Sequence, residues 1–215
     1  MSVIIELKNV SKTFGSKQLF SSLNLAIEKG EFVSITGPSG VGKTTLLNII
    51  ALLEKSDSGD VIVCGKRNPR LGSRVASQLL RKEISYVFQN FGLIDDATVN
   101  ENLDIAGHFL KMRRADKSEL KESVLHLVGL PDILHEKVHY LSGGEQQRVA
   151  LAKAIMKDSS IILADEPTGS LDDANRDGIL AIFRHLNENG KTIVFVTHDQ
   201  EVSRAASRQI ALGIA

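Results

Sequence analysis

The chain has one cysteine, four prolines, no tryptophan and no net charge. A single thiol, Cys64, excludes an internal disulfide, and no Cys/His cluster has the spacing of a zinc site. Cys64 reads as a small apolar residue inside a strand, Val61-Ile62-Val63-Cys64. With 26 basic and 26 acidic residues, the chain as a whole has no long-range attraction for a phosphate polymer or an anionic bilayer. Eight Phe and two Tyr are a poor supply of stacking platforms for single-stranded nucleic acid, so no nucleic-acid partner is expected. No Pro-rich linker, repeat or low-complexity tract divides the sequence. The most apolar stretch, Leu46 to Leu53, is broken by Asn48 and is too short to span a bilayer. The N-terminus, MSVIIELKNV, lacks the basic region and apolar core of a secretory signal. The expectation is a soluble, cytoplasmic chain whose work at any membrane comes through a partner.

What is present is ordinary globular material. The chain has 215 residues, 42% hydrophobic and 24% charged, and a chain of this length buries roughly 70% of its unfolded surface. Val3, Ile5 and Leu7, then Leu23, Leu25 and Ile27, alternate with period two and predict an antiparallel β region. It runs into a buried strand, Phe32 to Thr36. Short strands are expected at 60–64 and 84–88. The middle is helical: Thr98-x-x-Glu101 reads as a capping box ahead of Val99, Leu103, Ala106 and Leu110. Asp116 and Glu119 open a second helix with Leu120, Val124 and Leu127 on one face, closed by Gly129 and Pro131. Apolar runs at 161–164 and 192–196 have the length of buried parallel strands, with a helix from Asp172 to Asn187 between them. The fold expected is α/β: a P-loop NTPase (RecA-like) core with an antiparallel β subdomain and an inserted helical subdomain. As one domain, 1–71 and 159–215 form the core and about 72–158 the insertion.

Gly37-Pro38-Ser39-Gly40-Val41-Gly42-Lys43-Thr44 matches G-x-x-x-x-G-K-[ST]. It follows an apolar strand and precedes an apolar helical run from Thr45 to Leu53, the context this motif requires. Glycines let the loop wrap a diphosphate with successive backbone N–H groups, and the following helix presents its N-terminus to the same anion. Lys43 supplies a point charge between β- and γ-phosphates, and the Thr44 hydroxyl a hard oxygen for Mg²⁺. The expected ligand is a nucleoside triphosphate.

Ile161 to Ala164 ends in Asp165 and Glu166. Parallel sheets bind ligands at the carboxyl ends of their strands, so Asp165 is expected on the Mg²⁺ side and Glu166 beside the attacking water. His198, at the end of Val194 to Thr197, is expected to contact the γ-phosphate or orient that water, and Gln89 leaves a third strand toward water or Mg²⁺.

Together these residues resemble a known family, the nucleotide-binding subunits of ATP-binding cassette (ABC) transporters, from about residue 3 to the C-terminus. The most diagnostic segment is Leu141-Ser142-Gly143-Gly144-Glu145-Gln146-Gln147-Arg148, which resembles the family signature. The resemblance implies ATP and Mg²⁺ as ligands and assigns roles: Phe14 stacks on adenine, Gln89 senses Mg²⁺ and touches the membrane partner, Asp165 and Glu166 are the Mg²⁺-side and catalytic carboxylates, and His198 is the switch histidine. Ser170-Leu171-Asp172 matches the loop that reports across a dimer. Glu145 stands where Gln is usual and Lys153 where Arg is common. Independently of the family, Gly143 and Gly144 leave N–H groups bare at the start of a helix running to Met156, a second anion site on the same chain. Two half-sites too far apart for one phosphate suggest a dimer. The resemblance implies the rest: a homodimer packed head to tail, with Ser142, Gly143 and Gly144 of one copy closing over the ATP held by Ser39, Lys43, Thr44 and Thr45 of the other.

Three classes within the superfamily compete: transporter ATPases, DNA-repair or chromosome ATPases, and ribosome-associated factors. The second place a long coiled coil between loop and signature; here the gap has no sustained heptads. The third carry two cassettes. Transport through separate integral membrane permease subunits is therefore expected, with the chain peripheral on the inner face of the cell membrane. The segments DEPTGSLD and YVFQNFGLI resemble the group that includes lipoprotein-release, macrolide- and peptide-export and cell-division cassettes, and within it those of bacteriocin exporters. Export of a peptide, antibiotic or lipoprotein is the expectation. Phe91-Gly92-Leu93-Ile94, rimmed by Asp95, Asp96 and Glu101, is expected to be a socket for a short partner helix.

Overall fold

A computed structural model describes residues 2–169 and 171–213. Two sheets organise it. The first is antiparallel, built from β1 (Val3–Phe14), β2 (Lys17–Glu28), β4 (Ser58–Val63) and β5 (Lys66–Arg67) in the order β2-β1-β4-β5. Its period-two face, Ile5, Leu7, Val10, Leu25 and Ile27, is buried. Cys64 departs from expectation: β4 stops at Val63, and Cys64 turns the chain with φ 48° and is only half-buried. Burial pushes its thiol up to about 11, which keeps it protonated.

The second sheet is parallel, in the order β6-β7-β8-β3-β9: β3 (Phe32–Thr36), β6 (Ile84–Val87), β7 (Ile161–Asp165), β8 (Thr192–Val196) and β9 (Arg208–Ala211). The near-continuous apolar runs of β3, β7 and β8 follow from burial on both faces. One face, with Ile35, Leu163, Val194 and Val196, shares a core with the antiparallel sheet and α1 (Lys43–Ile50). The other, with Phe32, Ile162, Ile193 and Phe195, packs under α3 (Val99–Gly107), α4 (Arg114–Leu127), α5 (Gly143–Met156) and α6 (Asp173–Glu188). Phe32, Phe183 and Phe195 form a triangle of rings, with centroids 6.4 Å (Phe32–Phe183), 5.5 Å (Phe32–Phe195) and 6.4 Å (Phe183–Phe195) apart.

Several expectations shift. β6 falls inside the span 72–158 yet supplies an edge strand of the parallel sheet, so a helical insertion can begin only after Val87. α2 (Arg74–Lys82) packs against that strand. Leu110 lies beyond the end of α3. In α4 the buried face is Val124 and Leu125, continued by Val128, while Leu127 is 37% exposed. The expected capping box is present: the Thr98 Oγ1 accepts from Glu101 N at 3.2 Å, and the Glu101 carboxylate accepts from Thr98 N at 2.7 Å. One turn on, the fully buried Asn102 fixes the loop before α3, accepting from Ile94 N at 2.8 Å and donating to the carbonyls of Ile94 and Thr98 at 3.1 Å. Leu at 102 would leave Ile94 N–H unpaired. We expect that variant to lose about 1–3 kcal/mol in denaturant titration; unchanged stability would show that the loop finds another partner.

Candidate functional site

The turn from β3 into α1 is shaped by glycines at two points where no other residue fits. Gly37 has φ 152° and approaches Leu212, whose carbonyl oxygen would lie 2.5 Å from an added Cβ. Gly42 caps α1 in the left-handed region, φ 101°. Lys43 opens the helix, is 8% exposed, and donates from Nζ to the carbonyls of Gly37 and Pro38 at 2.9 and 3.1 Å. The lysine thus holds the loop curved around its own ammonium. The Val41 side chain is buried in the core beside the antiparallel sheet, which leaves its backbone N–H for the ligand contact expected of the loop.

Above this loop lies a cleft of about 800 Å³ lined by Phe14, Ser39, Lys43, Thr44, Thr45, Gln89, Glu166 and His198, among others. Four strand ends converge there, as expected of a parallel sheet. Thr44 Oγ1 donates to Asp165 Oδ1 at 3.1 Å, tying α1 to the end of β7. Burial raises the Asp165 carboxyl above the usual range; the Thr44 hydrogen bond opposes this, and the neighbouring Glu166 charge adds to it. Glu166 leaves the strand in the left-handed region, φ 45°. That backbone is strained for a residue with a side chain, and it separates the two adjacent carboxylates. Glu166 Oε1 lies 2.9 Å from His198 Nδ1, while its Oε2 is buried with no hydrogen-bond partner among the described residues. Phe14 stands 73% exposed at the rim.

Three cleft residues, Lys17, Leu19 and Gly169, go beyond the sequence reading. Lys17, the first residue of β2 and the cross-strand partner of Phe14 at the hairpin turn, lines the cleft and donates to the Gly40 carbonyl at 2.8 Å. Its signal was a lysine three residues from the exposed Phe14, visible only once the hairpin is known to fold back over the loop.

The signature residues and Asp172 do not line this cleft. They meet elsewhere. Ser142 caps α5: its Oγ accepts from Glu145 N at 3.4 Å and donates to Glu145 Oε2 at 2.7 Å. Those bonds from Ser142 hold the Glu145 carboxyl below its usual range. Asp172 caps α6, accepting from Asn175 N and Nδ2, both at 2.9 Å. Gly144 lies against Asn175, 3.1 Å from an added Cβ. Ser170 lies outside the described residues. No group of three or more His, Cys, Asp or Glu that could hold a metal is found among the described residues.

A sequence profile of the family described as ABC transporter matches residues 20–169. The chain is 39% identical over 208 residues to the lipoprotein-releasing system ATP-binding protein LolD of Bacteroides thetaiotaomicron, covering 96% of this chain and 95% of that one. It is 37% identical over 213 residues to the macrolide export ATP-binding/permease protein MacB of Aggregatibacter actinomycetemcomitans, covering 97% of this chain but 33% of that protein. The chain spans about a third of MacB. Among solved structures, the dimeric structure of a bacterial ABC transporter cassette superposes with TM-score 0.90 at 39% identity, covering 97% of this chain and 94% of that one. A second structure of the same cassette, dimeric in a post-hydrolysis state bound to ADP and Pi, gives TM-score 0.89 at 38% identity, covering 98% and 96%.

Proposed function

The chain belongs to the ABC transporter family, and on that premise we propose that it is the ATP-hydrolysing cassette of an exporter, dimerising around two ATP-Mg²⁺ and acting through a separate membrane permease. The observation that carries this is the division of labour on one chain. A single cleft gathers the phosphate loop and the Glu166–His198 pair, while the start of α5 at Ser142 to Gly144 lies outside that cleft. A site split in this way is completed only by a second copy. The cassette that superposes at TM-score 0.90 is dimeric, and its post-hydrolysis form holds ADP and Pi.

In this reading Phe14 stacks on the base, the backbone from Gly37 to Gly42 cradles the phosphates, and Lys43 exchanges its two carbonyl partners for the β- and γ-phosphate oxygens. The donors fit Mg²⁺. With one buried carboxylate, Asp165, one hydroxyl, Thr44, and one amide, Gln89, the protein offers no full cage, and this small cation is bound by few protein oxygens together with substrate phosphates and water. Bound there, the ion neutralises charge on the phosphates. Glu166 acts as general base: its orphan Oε2 gains most from a donor, and a water is that donor. His198 holds Oε1 and so sets the orientation of the carboxylate. Ser142, Gly143 and Gly144 of the second copy close over the γ-phosphate, and Asp172 belongs to the loop between the copies. In domain terms, β6 joins the core segments 1–71 and 159–215, and the helices after Val87 form the moving subdomain.

Among the described residues no helix is long and apolar enough to cross a membrane. In this reading a permease supplies the passage and places the cassette at the inner face. The names of LolD and MacB, a lipoprotein-releasing and a macrolide-export protein, support export of a lipoprotein, peptide or antibiotic. The permease's docking place is a groove of about 250 Å³ lined by Leu80, Tyr86, Phe88, Phe91, Lys153 and Lys157. Phe88 is 40% exposed there. Phe91 and Leu93, both expected in the socket, pack in part against the helical core, and Leu93 does not line the groove, so Phe88 is the better probe of docking. The purified chain is expected to release phosphate from ATP-Mg²⁺, and Phe88→Ser to spare this activity while abolishing export by cells. Loss of both together would make Phe88 a core residue, and loss of neither would move the docking place.

A further inference from the structure

Arg148, the last residue of the signature segment, makes contacts that the proposed chemistry does not use. Its Nη1 donates to the Val128 carbonyl at the end of α4 at 3.0 Å, and its Nη2 to Asn175 Oδ1 in the first turn of α6 at 3.1 Å. Asn175 passes the link on, donating from Nδ2 to Asp172 Oδ2 at 2.9 Å. The surroundings leave room for it. A Cβ at Gly178 would lie 2.6 Å from Nη2, one at Gly129 would lie 3.5 Å from Nη1, and one at Gly144 would lie 3.1 Å from the Asn175 amide. Three helices therefore meet around one planar guanidinium whose two ends bond in different directions, which a lysine cannot copy.

We propose that Arg148 is a positioning residue that locks the signature helix α5 to the Asp172 loop, so that the two elements a protomer presents to its partner move as one body. The proposal rests on the dimer reading above. The other end of α5 is tied separately to the core: the Ala154 carbonyl accepts from Ser85 Oγ at 2.8 Å, and just past the helix Lys157 donates to the carbonyls of Leu80 and Ile84. Without the clasp, α5 would stay anchored at that end while its Ser142 end was free to swing away from Asp172. The monomer's own cleft contains none of these residues, so the cost falls on partner closure and not on first binding of nucleotide.

The test uses the slow-hydrolysing Glu166→Gln protein as parent. Arg148→Ala, Arg148→Lys and Gly178→Ala are made in it and in the unaltered chain. Gly178→Ala matters most. It leaves Arg148 in place, raises the helix propensity of α6 and pushes the guanidinium off Asn175. The expected result is ATP affinity of the monomer within twofold of the parent, ATP-driven dimerisation weakened about tenfold in all three, and kcat lowered with KM little changed. Gly178→Ala should unfold no more easily than its parent. Asn175→Ala should reproduce the defect, and the double variant with Arg148→Ala should be no worse than either single one. Dimerisation of the Arg148 and Gly178 variants as tight as the parent's would overturn the proposal, and so would a defect that appears only with lost monomer ATP affinity or lost stability. A parent that fails to dimerise with ATP would overturn the dimer reading itself, and this proposal with it.

Discussion

Replacing Glu166 by Gln is expected to leave ATP binding intact and to cut phosphate release by roughly 10²–10⁴-fold, the usual worth of a positioned general base. The amide keeps the shape of the carboxylate and can still meet His198 at the distance seen for Oε1, 2.9 Å. What it loses is the acceptor that takes the proton of the attacking water. Lys43→Ala should fail in the opposite sense. In the proposed function its ammonium acts on the bound triphosphate before any reaction, and each charge-assisted hydrogen bond removed costs roughly 1.5–3 kcal/mol. ATP affinity should therefore fall about tenfold or more. Nucleotide affinity and phosphate release measured on both proteins separate the roles. Normal turnover in the Gln variant would remove Glu166 from the mechanism, and undiminished ATP affinity in the Ala variant would remove Lys43 from the cradle.

Ser142→Arg should abolish hydrolysis as completely, by another route. Ser142 is exposed, caps α5, and does not line the chain's own cleft. A guanidinium there leaves the monomer's nucleotide site untouched and puts bulk where a partner's γ-phosphate would lie. ATP binding by the isolated chain should be unchanged while turnover is lost. Mixing the Ser142→Arg protein with Lys43→Ala should restore part of the activity, because the heterodimer holds one intact cradle opposite one intact signature. Loss of ATP binding in Ser142→Arg alone would place the signature in the same cleft as the loop.

The phosphate loop, the carboxylates at the end of β7 and the helix start after Ser142 could be read from the sequence because each depends on local chemistry: glycines at a strand-to-helix turn, acids ending an apolar run, paired glycines ahead of a helical run. The parallel strands were legible for a similar reason, since burial on both faces makes them continuously apolar. Elements whose stability comes from elsewhere were not. α2, RVASQLLRK, buries only Ala76 and Leu79, too few to print a period. β9 is four residues whose side chains are exposed or half-exposed, and it exists because β3 offers an unpaired edge. Cys64 looked like the continuation of an apolar strand, yet the strand ends where the β4–β5 turn demands a positive φ. Val41 sits in the middle of a ligand motif but points into the core, a direction the motif does not encode.

The links between distant elements were the least visible. Nothing in the order of residues says that Arg148 reaches Asn175, 27 positions on, or that Gly178 is a glycine because a guanidinium crosses it. These contacts belong to helix packing and become readable only when the helices are in place. The same holds for the Thr44–Asp165 bond, where both residues were foreseen as neighbours of one ion but not as partners of each other.

In the proposed function two halves of a site, both carried by this chain, meet only in a pair of copies. Light scattering on the Glu166→Gln protein, with and without ATP-Mg²⁺, tests it most directly. The expected mass is that of one chain without nucleotide and of two with it, and of one chain under both conditions once Ser142→Arg is added. A Glu166→Gln protein that binds ATP yet keeps the mass of a single chain would contradict it.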